Sequence, residues 1–233
     1  MAAENRKRHD PRREATRTAL IEAAESLFAE AGVEGTSLRQ IGAAIGSANV
    51  NVVAYHFGGK EELIREVYRH RLPDIDRRRR ELLDEAEAAG TGTDLATLIR
   101  VFYQPLFEQT DSEGRHSYAR FITGIERSGM LATRGQVNSE FPETNRVDDR
   151  IATCLPANLA PLLNTRRRLV AGLIANALLL IDREAADDPE QAEHHFANAV
   201  AMAAAAISAP APATTNSRDI RKTSRTQACN PAD

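Results

Sequence analysis

The sequence predicts an all-α protein of about nine helices, and three observations carry that prediction. The 233 residues include 39 alanines, about 17% of the chain, and alanine is the strongest intrinsic helix former. Apolar residues recur at steps of three and four, while strand-like alternation over five or more positions is hard to find. The longest uninterrupted apolar run, Ala199 to Ile207, spans nine residues, far short of the roughly 18 that a membrane span needs.

Taken in order, residues 1–13 are polar and charged without period and are expected to form a flexible basic arm. From Thr16 onward Leu20, Ala24, Leu27, Phe28 and Ala31 share one helical face. Gly32 stands where a left-handed cap ends such a helix. Ser37 followed by Gln40 is a capping-box pattern; it opens a helix barely two turns long, with Leu38, Ile41 and Ile45 inward, that Gly46 ends. A second short helix is expected from about Asn49 to Phe57, with Val50, Val53 and Phe57 facing the core. Gly58-Gly59 stops it, and Lys60-Glu61-Glu62 opens a fourth, where glutamates suit the first turn. Proline at Leu72-Pro73 is expected to break or kink that helix. A charged helix over 74–89 follows, then helices near 93–109, 112–128, 143–160, 164–185 and 189–208. The Ala/Pro-rich stretch from Ala209 leads into an expected disordered tail, 210–233.

Composition narrows function. Apolar residues at 42% and charged residues at 27% exclude disorder throughout. Cys154 and Cys229 match no zinc spacing, which excludes a disulfide scaffold and a structural zinc finger. The basic start is followed by a polar segment, so no secretory signal is read and a cytoplasmic location is expected. Net charge runs from +3 over residues 1–80 to −8 over 81–209 and +2 beyond, a basic front on an acidic body. The run Arg77–Arg80 by itself reads as a solvated helix face. His194-His195 point in different directions from one helix and suit no metal, and Cys154 reads as a small apolar residue. No phosphate-binding glycine loop, nucleophile elbow or paired acid motif is present, so no catalytic residue, metal or cofactor is expected.

Two very short helices joined by a glycine turn inside a basic three-helix unit describe a helix-turn-helix, whose second helix enters the major groove. With Val50, Val53 and Phe57 inward, the outer side carries Asn49, Asn51, Val52, Tyr55 and His56. Asparagine reads adenine edges, a valine methyl meets a thymine methyl, and Tyr and His bond phosphates. That side holds no acidic residue, as a surface meeting phosphates requires.

The stretch from Thr16 to about Pro73, a quarter of the chain, resembles the DNA-binding domain of the tetracycline-repressor (TetR) family. The matching residues are Ala23-Ala24 to Phe28 with Gly32, Gly35-Thr36-Ser37, Ile41 with Gly46, and above all Tyr55-His56-Phe57-Gly58-Gly59-Lys60-Glu61-Glu62-Leu63-Ile64. The resemblance implies a helix-turn-helix domain over 14–73 and a helical effector-binding and dimerisation domain over 74–209. It further implies a homodimer reading a palindromic double-stranded operator, and an unidentified small-molecule effector. Carried over by position, Thr36, Ser37 and Arg39 meet the DNA backbone, Asn49, Asn51 and Val52 approach bases, and Tyr55, His56 and Lys60 clamp phosphates, Lys60 aided by its helix N-terminus. Two departures stand out: Ala54 replaces a tyrosine common in the family, and the turn Gly46-Ser47-Ala48-Asn49 is one residue longer than usual.

In the second domain Leu169, Leu173, Ala177 and Ile181 form one stripe and Phe196, Val200, Ala203 and Ile207 another. Both suit pairing of the last two helices across a two-fold axis, or packing of the protomer's own core. Phe102, Tyr103, Phe107, Tyr118, Phe121 and Ile125 are candidate effector contacts, with Arg120 placed to orient an acid; aromatics at this spacing equally suit a core. The function expected is a repressor released from its operator by a small molecule. Its alternatives are an activator, an effector-independent helix-turn-helix regulator, and an all-α interaction module that has lost DNA binding.

Overall fold

In the computed structural model, residues 10–128 and 140–211 are described. Residues 1–9 of the expected arm, residues 212–233 of the expected tail, and Cys229 with them lie outside that range. Nine α-helices and one 3-10 helix make up the described residues, with no strand among them.

Asp10 opens the first helix, α1 (Pro11–Gly35): its side chain accepts the Arg12 N–H, and Pro11 fills the first turn, where a missing N–H costs nothing. Residues 11–13, expected in the arm, are therefore helical. Gly32 leaves the helix with φ 74°, as its left-handed cap predicts. Ser37 and Gln40 form both halves of the capping box at the head of α2 (Leu38–Ala44). The next helix, α3 (Val52–Phe57), is three residues shorter at its start than expected. Asn49 and Ser47 build an intervening turn, in which Ser47 Oγ accepts the Asn49 N–H and Asn49 Oδ1 accepts the Asn51 N–H.

Helix α4 (Lys60–Ala88) does not break at Pro73. Pro73 faces solvent while Leu72 and Ile75 beside it are buried, so the lost backbone bond falls on the wet side and packing on the other side carries the helix through. Then follow α5 (Leu95–Glu108), α6 (Ser117–Arg127), α7 (Pro142–Thr153), a 3-10 turn (Ala157–Leu162), α8 (Leu163–Glu184) and α9 (Pro189–Ser208). The expected helix 112–128 starts only at Ser117, because Asp111 ties Glu113 and Arg115 into a turn before it.

Two apolar clusters result. One joins α1 to α4 with Tyr118, Phe121 and Ile125 of α6; the other joins the second half of α4 with α5, α7, α8 and α9. Helix α6 thus packs into the N-terminal cluster although it lies far along the chain. Phe121 stands 5.3 Å from Tyr68 and 6.1 Å from Phe28, ring centre to centre.

Most residues of the two stripes pack the protomer's own core, the second of the two uses expected for them. Phe196, Val200, Ala203, Ile207 and Ile181 are all buried in the protomer's own core. Of the stripe residues Leu169 stands outward, as do Leu180 and Met202 beside them, while Leu173 and Ala177 pack partly buried against the same core. The run Arg77–Arg80 is also not a uniform solvated face, since Arg79 turns inward, with its guanidinium 4.4 Å over the Phe102 ring.

Candidate functional site

Helix α3 packs tightly on α2 at Gly42, where a Cβ would lie 2.9 Å from Val52 Cγ1. Val52 is 7% exposed and Val50 60%, so their expected places are exchanged. The extra turn residue delays the start of α3, rotating Val52 onto the α2 contact and leaving Val50 in the loop. Val52 is therefore not a base contact. Gly42→Ala is expected to push α3 off α2 and cost about 1–3 kcal/mol of overpacking, partly offset by alanine's helix preference. Paired urea-unfolding curves of parent and variant check this.

The outward side of α3 retains Asn51, Ala54 and Tyr55, with Tyr55 at 69% exposure. Asn51 is the N-cap residue but makes no side-chain capping bond, which leaves its amide available. Asn49 is exposed but already uses Oδ1 in the turn. Two arginines of α1 border this side: Arg13 lies 5.7 Å from the Tyr55 ring centre, and Arg17 stacks 4.6 Å over Phe57 and donates to the His56 carbonyl. Arg17 also pairs with Glu66. The sequence pattern points to neither arginine as a contact, because their place beside α3 follows from tertiary packing.

Around this surface the other expected contacts divide. Arg39 is exposed, with no ion pair among the described residues. Ser37 is exposed but held by Gln40 through both backbone and side chain. Thr36 is 2% exposed and donates its hydroxyl to the carbonyls of Leu27 and Gly32, so it locks the end of α1 and is not a backbone contact. Lys60 spends one ammonium proton on the Val33 carbonyl at 2.8 Å and keeps two more donors.

Burial, then the charges of Arg13 and Arg17, push the His56 imidazole below its ordinary value, against a smaller opposing pull from Glu14. Free His56 is thus mainly neutral at pH 7, and binding a phosphate favours its charged form. Duplex affinity is expected to rise as pH falls from 8 to 6, and His56→Asn to flatten that dependence in a titration at constant salt.

A cavity of about 200 Å³ opens between α4, α5, α6, α7 and α8. Phe102, Tyr103 and Tyr118 line it, as do Leu72, Ile75, Ile122, Ile174 and Leu178. The other three candidates do not. Phe107 stacks on Phe196 at 4.4 Å and on His116, while Phe121 and Ile125 are fully buried in the N-terminal cluster. Arg120 is also absent from the lining, its Nη2 donating to Asp182 at 2.7 Å.

Two buried polar clusters flank the head of α6. Asp182 accepts the His116 N–H, meets His116 Nδ1 at 2.5 Å and accepts from Arg120. Burial raises the Asp182 carboxyl, but the His116 and Arg120 contacts outweigh it and hold the group below its ordinary value. On the other side Glu25 of α1, 1% exposed, accepts two bonds from Arg71 of α4 and one from the Ser117 hydroxyl. Helix α6 is therefore tied to α8 at His116 and to α1 and α4 at Ser117, while Tyr118, Ala119, Ile122 and Thr123 form cavity wall. No helix of the described residues is long and apolar enough to cross a membrane, and none of their His, Cys, Asp and Glu side chains cluster as a metal site.

Residues 20–67 match the sequence profile of the family described as "Bacterial regulatory proteins, tetR family". The chain is 30% identical over 131 residues to the "HTH-type transcriptional repressor KstR2" of Rhodococcus jostii (strain RHA1), covering 54% of this chain and 60% of that protein. It thus spans under two thirds of the length of that relative. Among solved structures it is similar to a TetR family transcriptional regulator, PfmR, from Thermus thermophilus, at 19% identity and TM-score 0.45, covering 81% of this chain and 96% of that one. It is also similar to NalD of Pseudomonas aeruginosa, described as the secondary repressor of the MexAB-OprM multidrug efflux pump. That match is at 24% identity and TM-score 0.42, covering 80% of this chain and 96% of the other.

Proposed function

We propose, from the match of residues 20–67 to the tetR family of bacterial regulatory proteins, that the chain is a member of that family and a DNA-binding repressor released by a small molecule. The observation that carries the reading is the outer side of α3. Asn51 and Tyr55 are exposed there without an acidic neighbour on that helix, and Arg13, Arg17 and Arg39 lie on the flanking helices. Base edges would be read by Asn51 and Asn49, and phosphates held by Tyr55, His56, Arg39, Ser37 and the spare donors of Lys60. The name of the Rhodococcus relative, a transcriptional repressor, supports the direction of regulation.

Pairing with a second copy is proposed through α8 and α9. Leu169, Leu180 and Met202 stand outward there at 68%, 44% and 53% exposure, large apolar side chains that a partner copy would cover. The effector is proposed to occupy the α4–α8 cavity, touching Phe102, Tyr103 and Tyr118. Displacement of α6 by that ligand would be passed through the Ser117–Glu25–Arg71 contacts to α1 and α4, which carry the reading heads. A protein acting this way on chromosomal DNA works in the cytoplasm.

Selection from a random duplex pool tests the function. The full chain is expected to enrich a two-fold symmetric sequence with half-sites about one turn apart, or a multiple of it. Recovery of no common sequence, with binding that disappears uniformly on added salt, would contradict sequence-specific regulation.

A further inference from the structure

The charge of the cavity wall carries an inference that rests on the effector reading above and specifies its ligand. The lining is mostly apolar, yet it holds Arg79, Arg167 and Arg168 against one carboxylate, Asp148. Arg79 is the deep cation. It donates to the Phe102 carbonyl and, at 2.6 Å, to the Thr144 hydroxyl, which in turn bonds Asp76. Asp148 is taken by Arg167 Nη2 at 2.7 Å. Arg167 also donates to Asn164, but its Nε lies buried with no acceptor. Arg168, at the exposed end of the lining, has no ion pair or hydrogen bond among the described residues. The lining thus holds one guanidinium, that of Arg168, with no counter-charge among the described residues.

Apolar surface that remains open to a cavity favours an apolar occupant. An engineered apolar cavity of about 150 Å³ admits benzene, so this one suits a ring or chain of about eight carbons. Guanidinium groups at its rim match a planar or tetrahedral oxyanion, which accepts several N–H bonds at once. We infer that the cavity takes an apolar molecule with a single anionic head, its body against Ile174, Leu178 and Phe102 and its head at Arg168.

Calorimetric titration of the full chain at pH 7 with octanoate, octyl phosphate, 1-octanol and octylamine tests this. The parent is expected to bind at least one of the two anions about tenfold more tightly than the alcohol, the size of one added charge-assisted bond, and the amine most weakly. The anion bound more tightly identifies the head as carboxylate or phosphate. Arg168→Gln is expected to bring that anion within about twofold of the alcohol, while Arg168→Lys keeps part of the preference. Because Arg168 is exposed and unpaired, both variants should fold as the parent does, with unchanged helical circular dichroism. Equal affinity for anion and alcohol in the parent, or an intact preference in Arg168→Gln, overturns the inference alone. Binding of none of the four overturns it together with the effector cavity. Anion binding that leaves duplex affinity unchanged upholds the ligand class and removes its role as effector.

Discussion

Replacing Glu25 by alanine is expected to destabilise the protein by about 3 kcal/mol, near the lower end of the range for breaking a buried ion pair. The carboxylate is 1% exposed and accepts from Arg71 Nε at 2.6 Å, Arg71 Nη2 at 3.0 Å and Ser117 Oγ at 2.6 Å. Removing it strands a guanidinium and a hydroxyl whose acceptors water must replace. The Arg71 side chain retains 21% exposure, so part of its charge can rehydrate, which holds the loss to the lower end of the range. Glu25→Gln, which keeps volume and one acceptor, should lose less. Adding Arg71→Met to Glu25→Ala should recover stability, because the stranded charge is then gone. Urea midpoints for the four proteins measure this directly. A loss under about 1 kcal/mol for Glu25→Ala would mean that the cluster does not hold α1, α4 and α6 together.

The second large effect is on duplex binding. Asn51→Ala with Tyr55→Ala removes two exposed side chains from α3 without touching Val53 or Phe57, which fix that helix to the core. A good base contact is worth about 1–3 kcal/mol. Allowing as much again for a phosphate contact, the pair should cost about a hundredfold in affinity for the selected duplex. Neither side chain carries charge, so the slope of affinity against salt should stay near the parent's. Arg39→Ala, by contrast, should lower that slope by about one phosphate. Unchanged helix content in the double variant separates lost contacts from lost fold.

Local signals in the sequence reached far into this structure. The Ser37–Gln40 capping box, the left-handed glycines at 32, 46 and 58, and the span of α9 follow from caps and periodicity that act within a few residues. Tertiary contacts decided the rest. An added turn residue moved Val52 inward and Val50 outward, because helical phase depends on where the first turn begins. Leu72 and Ile75 carried α4 through Pro73 by packing that no local rule contains. Phe107, Phe121 and Ile125 shared the aromatic pattern of Phe102, Tyr103 and Tyr118, yet α6 inserted Phe121 and Ile125 into the other cluster. Arg168 at the cavity rim, and Arg13 and Arg17 beside α3, became legible only once distant helices were brought together.

What matters most is whether the exposed side of α3 recognises a DNA sequence. Fluorescence anisotropy on the selected duplex and on a scrambled one, with parent and Asn51→Ala/Tyr55→Ala protein, decides it. The parent should prefer the selected duplex by at least about a thousandfold; the double variant should lose about tenfold of that preference with the Asn51 base contact, and bind both duplexes more weakly without the Tyr55 phosphate contact. If the variant discriminates between the two duplexes as well as the parent does, recognition resides elsewhere and the assignment of α3 fails.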